Sequence, residues 1–233
     1  MNALVVGAQP ASLGWHVAEE FAMVGWDVVT VGVSGQEDVE LDITQAVDVA
    51  KFFINQGSFN AVVNTAGINE PFPTDGVGLA NKLEEHFQVN VVGHMLVLQH
   101  WIATLPETVA YWTNHYVSIS SNSAHIARGR SLAYCATKAA LSQAIRCFAR
   151  DCEGMANIYA YEPGLLDGTP MTDNVQRELT GTYLRQEMHR MRGGRELSHG
   201  IRPGRLARMI VNNVKIGGPE LNGSIIRLDG GEQ

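Results

Sequence analysis

Cysteine is scarce in this 233-residue chain, which carries only Cys135, Cys147 and Cys152. They never form a C-x-x-C pair, so neither a disulfide framework nor a zinc cluster is expected, and all three are read as buried, inert thiols. No run of about 18 apolar residues occurs, which argues against a membrane-spanning helix. No basic segment leads into a long apolar core at the N-terminus, so nothing is read as cleavable and a cytoplasmic location is expected. Positive charge is in deficit as well. The net charge is -7 and the isoelectric point about 5.6, the wrong sign for a polyanion-binding surface, so nucleic acid is not an expected partner. Internal repeats, low-complexity tracts and linkers are also missing. The length then reads as one α/β domain spanning residues 1–233.

What is present is alternation. Short runs rich in Val, Ile and Ala recur at residues 3–7, 27–33, 60–67, 115–121, 158–164 and 224–231, each resembling a strand buried on both faces. Helical patterns lie between them, at 15–24, 45–56, 79–105, 131–152 and 205–214. Strands alternating with helices call for right-handed crossovers and a parallel sheet. The expected fold is a single Rossmann-type, doubly wound parallel sheet of about seven strands with helices on both faces. Residues 33–40 leave little room for a helix between the second and third strands, which is expected to be reduced.

In such a sheet, ligands bind beyond the carboxyl ends of the strands, where the first strand meets the first helix. That place is held by VVGAQPASLG, residues 5–14, which departs from G-x-G-x-x-G: counting from Gly7, Gln9 and Ser12 stand where glycines should be. Gly7 permits a tight bend, Ser12 is placed to cap a helix beginning near Leu13, and first-turn N–H groups would face a phosphate. Pro10 contributes no N–H. A plain strand-to-helix turn is the other reading of these residues.

The stretch ISSNSAHIARGRSLAYCATK, residues 119–138, carries the chemistry. Tyr134 and Lys138 are one helical turn apart on one face, and Ser121 ends the preceding strand 13 residues before the tyrosine. Ser120 and Ser123 compete with Ser121 for its role, although the spacing favours Ser121. His125 is within reach of a substrate, but a solvated loop histidine is the commoner outcome. A free phenol has a pKa near 10, poorly matched to proton transfer at neutral pH; an ammonium beside it favours phenolate, and a shift of about two to three units corresponds to about 3 to 4 kcal/mol. A neutral serine donor stabilises charge developing on the same oxygen.

Serine followed by Tyr-x-x-x-Lys resembles the short-chain dehydrogenase/reductase family. Further segments occur in the family's order: LDIT at 41–44, NTAG at 64–67, VNVVG at 89–93, PG at 163–164 and LNGSIIRLDGG at 221–231. The resemblance implies catalytic roles for Asn90, Ser121, Tyr134 and Lys138, with Asn90 ordering a water that relays protons beyond Lys138. It implies NAD or NADP bound by Gly7, Ser12, Leu13, Gly14, Ser34, Asp42, Ile43, Asn64, Ala66, Gly67, Tyr134, Lys138, Pro163, Gly164, Leu166 and Thr169, although the threonine arrives one residue late. Tyr134 and Lys138 are too closely spaced for the enoyl-acyl carrier protein reductases of the same superfamily.

At the end of the second strand, Gly32 and Val33 occupy the positions where an acid would select NAD. Without that acid the reading leans slightly to NADP, with Ser34 able to bond either form. The partner expected is a small carbonyl or secondary-alcohol substrate, and the family commonly forms homodimers or homotetramers through two long helices, here 79–105 and 131–152. A substrate loop is expected at about 167–203. Residues 177–208 hold eight arginines against three acids, with Val175, Leu179, Leu184, Met188 and Met191 at roughly helical spacing. Such a lid would suit a substrate with an apolar body and an anionic group, such as a carboxylate or the phosphate of an acyl phosphopantetheine thioester, with Arg190 and Arg192 at its margin; a solvated helix or subunit contact is the blander reading. The alternative function is a catalytically silent dinucleotide-binding sensor or scaffold.

Overall fold

A computed structural model describes residues 1–106, 113–179 and 200–229. Its centre is a seven-stranded sheet, all parallel, in the order β3-β2-β1-β4-β5-β6-β7. The strands are β1 (Asn2–Val6), β2 (Asp27–Gly32), β3 (Val39–Glu40), β4 (Ala61–Asn64), β5 (His115–Ile119), β6 (Asn157–Pro163) and β7 (Ile225–Leu228). The helices are α1 (Leu13–Met23), α2 (Ala46–Gln56), α3 (Leu79–Phe87), α4 (Gly93–Ile102), α5 (Leu132–Asp151), α6 (Pro170–Glu178) and α7 (Pro203–Ile216). No helix among the described residues is long and apolar enough to cross a membrane.

The period of two along β1 explains the layers. Leu4 and Val6 pack with Phe53, Leu98, Trp101 and Ile145 from α2, α4 and α5, whereas Ala3 and Val5 pack with Val17, Phe21, Leu206 and Ile210 from α1 and α7. Each large apolar side chain buried this way contributes about 1.5 to 3 kcal/mol. Burial on both faces is complete for β1, β4, β5 and β6 apart from Asn2, while β2 next to one edge and β7 at the other are half covered. The strand order reverses between β1 and β4, and this switch point opens a crevice at their carboxyl ends.

The helix between β2 and β3 is reduced, as expected, to a loop held where the Thr30 N–H and hydroxyl both donate to Asp38 at 2.8 Å. Two expectations need correction. The helix expected over 79–105 is broken: α3 and α4 are separated by a π-helical turn, Gln88–Val92, because the Asn90 side chain leaves the helix to pair with the Ile68 backbone. Nor are the cysteines buried; Cys147 is exposed on the outer side of α5 and the other two are partly covered.

Candidate active site

A cavity of about 880 Å³ runs along the carboxyl ends of the strands, from Gly32 and Asp42 at one end to Ser121 and Tyr134 at the other. Gly7, Ser12 and Leu13 form its wall at the first turn. Gly7 takes a left-handed φ of +80°, and a Cβ there would stand 2.9 Å from the Ala66 backbone, so only glycine fits. Ser12 is the helix cap expected: its Oγ accepts from Trp15 N and donates to the Gly7 carbonyl, both at 3.1 Å. Ala11, inside the turn, is itself left-handed at φ +62°. Gly14 does not reach the wall; it is a packing glycine, whose Cβ would collide with the Gly7 carbonyl and Thr65 Oγ1.

On α5, Tyr134, Lys138, Leu141 and Ile145 fall on the buried stripe, which brings the tyrosine and lysine to one face. Ser121 caps the short 3-10 turn Asn122–Ala124 by accepting from Ser123 N at 3.1 Å. Ser121 and Tyr134 line the same end of the cavity, and the serine hydroxyl favours the ionised form of the phenol. The rival Ser120 points elsewhere: it donates to the Lys138 carbonyl at 3.0 Å and contacts Ser142 at 2.7 Å. Ser123 does line the cavity.

The electrostatics differ from expectation. Burial pushes the Tyr134 pKa up to about 12, with the Ser121 hydrogen bond and the Arg128 charge pulling against it. Burial also brings Lys138 down to about 7. The lysine Nζ lies 5.7 Å from the Tyr134 ring centroid but donates to the Ile119 carbonyl at 2.8 Å. Lys138 therefore does not make Tyr134 acidic here, because desolvation of both groups outweighs their attraction.

Asn90 stands behind the wall rather than in it. Its Oδ1 accepts from Ile68 N at 2.8 Å, and its Nδ2 donates to Ile68 O at 3.0 Å and Thr137 Oγ1 at 3.1 Å. The amide thus fixes the segment following Gly67 and joins it to α5. Asn64 is also withdrawn, accepting from Ala66 N and donating to the Tyr116 hydroxyl, both at 3.2 Å. Ala66 and Gly67 remain on the wall, and His94, missed in the sequence, holds Ala66 from below: its Nε2 lies 2.9 Å from the Ala66 carbonyl. Burial lowers the His94 pKa to about 3, so the ring is neutral.

At the far end the acid that Gly32 and Val33 lack comes from Glu37. Its carboxylate lies over Gly32, where a Cβ would clash with it, and lines the cavity. It accepts from Ser34 Oγ at 2.8 Å and from Ser34 N and Gln36 N at 3.2 Å. The Ser34 hydroxyl, expected to serve the nucleotide, is thereby engaged by Glu37. Asp42 and Ile43 line the wall nearby. Burial raises the Asp42 pKa, but hydrogen bonds from Thr44 outweigh it and leave the carboxylate lowered overall.

Pro163, Gly164, Leu166 and Thr169 complete the wall. Thr169 caps α6, accepting from Thr172 N at 3.3 Å. Just before Pro163, the fully buried Glu162 accepts from Ser142 Oγ at 2.6 Å and meets His125 Nε2 at 2.8 Å, so His125 is tied to the strand instead of being merely solvated. Within the proposed lid, Val175 and Leu179 are buried, whereas residues 180–199, with Leu184, Met188, Met191, Arg190 and Arg192, lie outside the described residues.

The sequence profile of the short chain dehydrogenase family matches residues 1–180. No curated protein matches the chain. Among solved structures, a short chain dehydrogenase family protein from Francisella tularensis superposes with a TM-score of 0.82 at 18% identity, covering 99% of this chain and 98% of that one. A short-chain type dehydrogenase/reductase from Mycobacterium ulcerans gives 0.81 at 21% identity, covering 99% and 89%. The ligand-free aldohexose dehydrogenase of Thermoplasma acidophilum gives 0.77 at 20% identity, covering 99% and 92%.

Proposed function

The chain belongs to the short-chain dehydrogenase family, and from that premise we propose that it interconverts a small carbonyl compound and a secondary alcohol with a nicotinamide dinucleotide. The observation that carries this reading is that Ser121 and Tyr134 line the same end of one cavity, with Lys138 one turn along the same helix face on the same wall. The wall residues fit the dinucleotide: α1 opens toward the cavity through Ser12 and Leu13, where a pyrophosphate gains from the helix N-terminus, and Gly7 lets the backbone approach. When bound, the dinucleotide supplies or accepts the hydride equivalent.

The chain's own residues handle the proton. In reduction, Ser121 donates a hydrogen bond to the carbonyl oxygen as charge grows there, and Tyr134 passes that oxygen its phenolic proton. In oxidation Tyr134 is the base. A phenol pushed up to about 12 is protonated at neutral pH, the form that donates in the reductive direction. Lys138 and Asn90 hold the helix and the Gly67 segment around it. For nucleotide choice we favour NAD over NADP, because Glu37 places a carboxylate where a 2′-phosphate would be repelled and a ribose 2′-hydroxyl accepted.

We also assign pairing of copies to the sides of the 79–102 helical stretch and α5, where Phe87 of α3, Val92 of the π-helical turn and Leu132 of α5 expose apolar surface. Light scattering showing a single chain would contradict that assignment. Incubating the protein with NADH and a panel of ketones and 3-oxoacyl thioesters, and following NADH absorbance, tests the reaction. Oxidation by at least one member is expected; tight nucleotide binding with no oxidation by any would favour a silent dinucleotide sensor.

A further inference from the structure

Three serines stand close together after β5, and the hydroxyls of two are engaged within the chain. Ser120 donates to the Lys138 carbonyl at 3.0 Å, and Ser121 accepts from Ser123 N at 3.1 Å. Ser123 is different. Its hydroxyl makes no hydrogen bond among the described residues, yet the residue is only 7% exposed and lines the cavity with Ser121 and Tyr134. A buried hydroxyl without a hydrogen bond is costly, and chains rarely leave one so unless something from outside reaches it. For Ser123 the cavity is the side from which that partner can come.

A second uncommitted group lines the same cavity. The Asn69 amide makes no hydrogen bond among the described residues, and its Oδ1 is buried without a partner. The backbone on either side is fixed: Asn90 holds Ile68 through its N–H and carbonyl, and Glu70 N donates to the buried His86 Nε2 at 3.2 Å. Asn69 is thus held in place while its side chain is left idle. Gly67, two residues earlier, runs so close to the groups proposed for proton transfer that a Cβ on it would stand 3.4 Å from Lys138 Nζ and 3.8 Å from Met171 Cε. Phe72 N then donates to the Arg130 carbonyl at 2.6 Å, which ties the loop of Asn69 to the one that follows the serine turn. Asn69 and Ser123 therefore both belong to the substrate end.

We propose that Ser123 and Asn69 are specificity-determining residues that recognise a hydroxyl group, and that the substrate is a neutral, hydroxylated carbonyl compound. This rests on the dehydrogenase reading above and deepens it. A serine hydroxyl both donates and accepts, and so does a carboxamide, whose terminal torsion is broad enough to turn either end to the cavity. A substrate hydroxyl also does both and so satisfies the pair in either sense, whereas a carboxylate only accepts and would leave the amide oxygen idle. The charges agree. Glu70, beside Asn69, and Glu85 are both on the wall with the single cation Lys82 shared between them. The nearby cations are already engaged, Lys138 by the Ile119 carbonyl and Arg128 within the chain.

The test pairs ketones that carry a hydroxyl one, two or three carbons from the carbonyl with the same ketones lacking it and with oxo acids of matching length, using NADH. Wild type is expected to reduce a hydroxy ketone with a kcat/KM at least about tenfold above those of its plain ketone and oxo acid. Ser123→Ala and Asn69→Ala should each lower the hydroxy ketone about 5- to 50-fold while moving the plain ketone by less than about threefold. Equal rates for hydroxy and plain ketones in wild type, a preference for the oxo acid, or a hydroxyl preference that both variants keep would overturn the proposal. Stability supplies a check free of turnover. Because the Ser123 hydroxyl has no partner in the chain, Ser123→Ala should melt no more than about 2 °C below wild type, and a larger fall would reveal a structural role and refute the assignment. If wild type reduces none of these compounds, the proposed reaction is what fails, and the pair is decided by melting temperature with NADH present. A rise on adding a hydroxy ketone that is absent in Ser123→Ala and Asn69→Ala supports the pair; no variant-dependent rise refutes it. Should Asn69→Ala not fold, Ser123→Ala decides the matter.

Discussion

Lys138 turns its ammonium to the Ile119 carbonyl at 2.8 Å, away from the phenol it shares a helix face with. Buried there, its pKa falls to about 7 from an ordinary value of 10.5. Between these values the unfolded chain binds more protons than the folded one, so this group makes stability rise with pH across the window and makes it lowest below about pH 7. Lys138→Met removes the desolvated charge. The variant should melt above wild type at pH 6, with the gain shrinking toward pH 10, as read by circular dichroism; a pH-independent difference would contradict the reading.

Glu37 gives the nucleotide end its sign. Glu37→Gln keeps the shape and much of the hydrogen bonding to Ser34 but removes the charge. Its affinity for NADPH should rise about tenfold, equivalent to about 1.4 kcal/mol, with NADH affinity changed much less. Fluorescence titration of both nucleotides checks this, and an unchanged ratio would remove Glu37 from nucleotide selection.

Glu162 joins three parts of the site. Through Ser142 it holds α5, through His125 it holds the serine turn, and its own strand leads into Pro163 and Gly164. Glu162→Gln can keep both contacts, with Nε2 donating to Ser142 and Oε1 accepting from His125, so its cost should stay below about 1 kcal/mol. Glu162→Ala removes the carboxylate that Ser142 and His125 both contact and opens a hole, for a loss of about 2 to 3 kcal/mol in urea unfolding. Equal losses for the two variants would show that packing alone explains the residue.

Gly14→Ala tests the first turn. Its Cβ would stand 2.6 Å from the Gly7 carbonyl and Thr65 Oγ1, so the turn must shift. Destabilisation of about 1 to 3 kcal/mol is expected, together with weaker nucleotide binding. A variant as stable as wild type would mean the turn is looser than described.

The sequence carried the sheet and the serine–tyrosine–lysine constellation because period, cap and helical spacing are local signals. Ser12 capping α1 and the common face of Tyr134 and Lys138 follow from spacing alone. What was not legible depends on contacts distant in sequence. Asn90 breaks its helix only because Ile68, 22 residues away, offers a backbone pair. Glu37 reaches Gly32 through a loop whose path no periodicity encodes. The pKa of Tyr134 was misjudged for a related reason: spacing reveals a neighbouring cation but not the depth of burial that opposes it.

The most direct measurement is the single-turnover rate of Tyr134→Phe on whichever carbonyl substrate wild type reduces, beside nucleotide binding by titration. If the Tyr134 phenol supplies the proton, the rate should fall about 10²- to 10⁴-fold, with NADH affinity held within about threefold. A variant that keeps its rate within about tenfold of wild type would contradict the account.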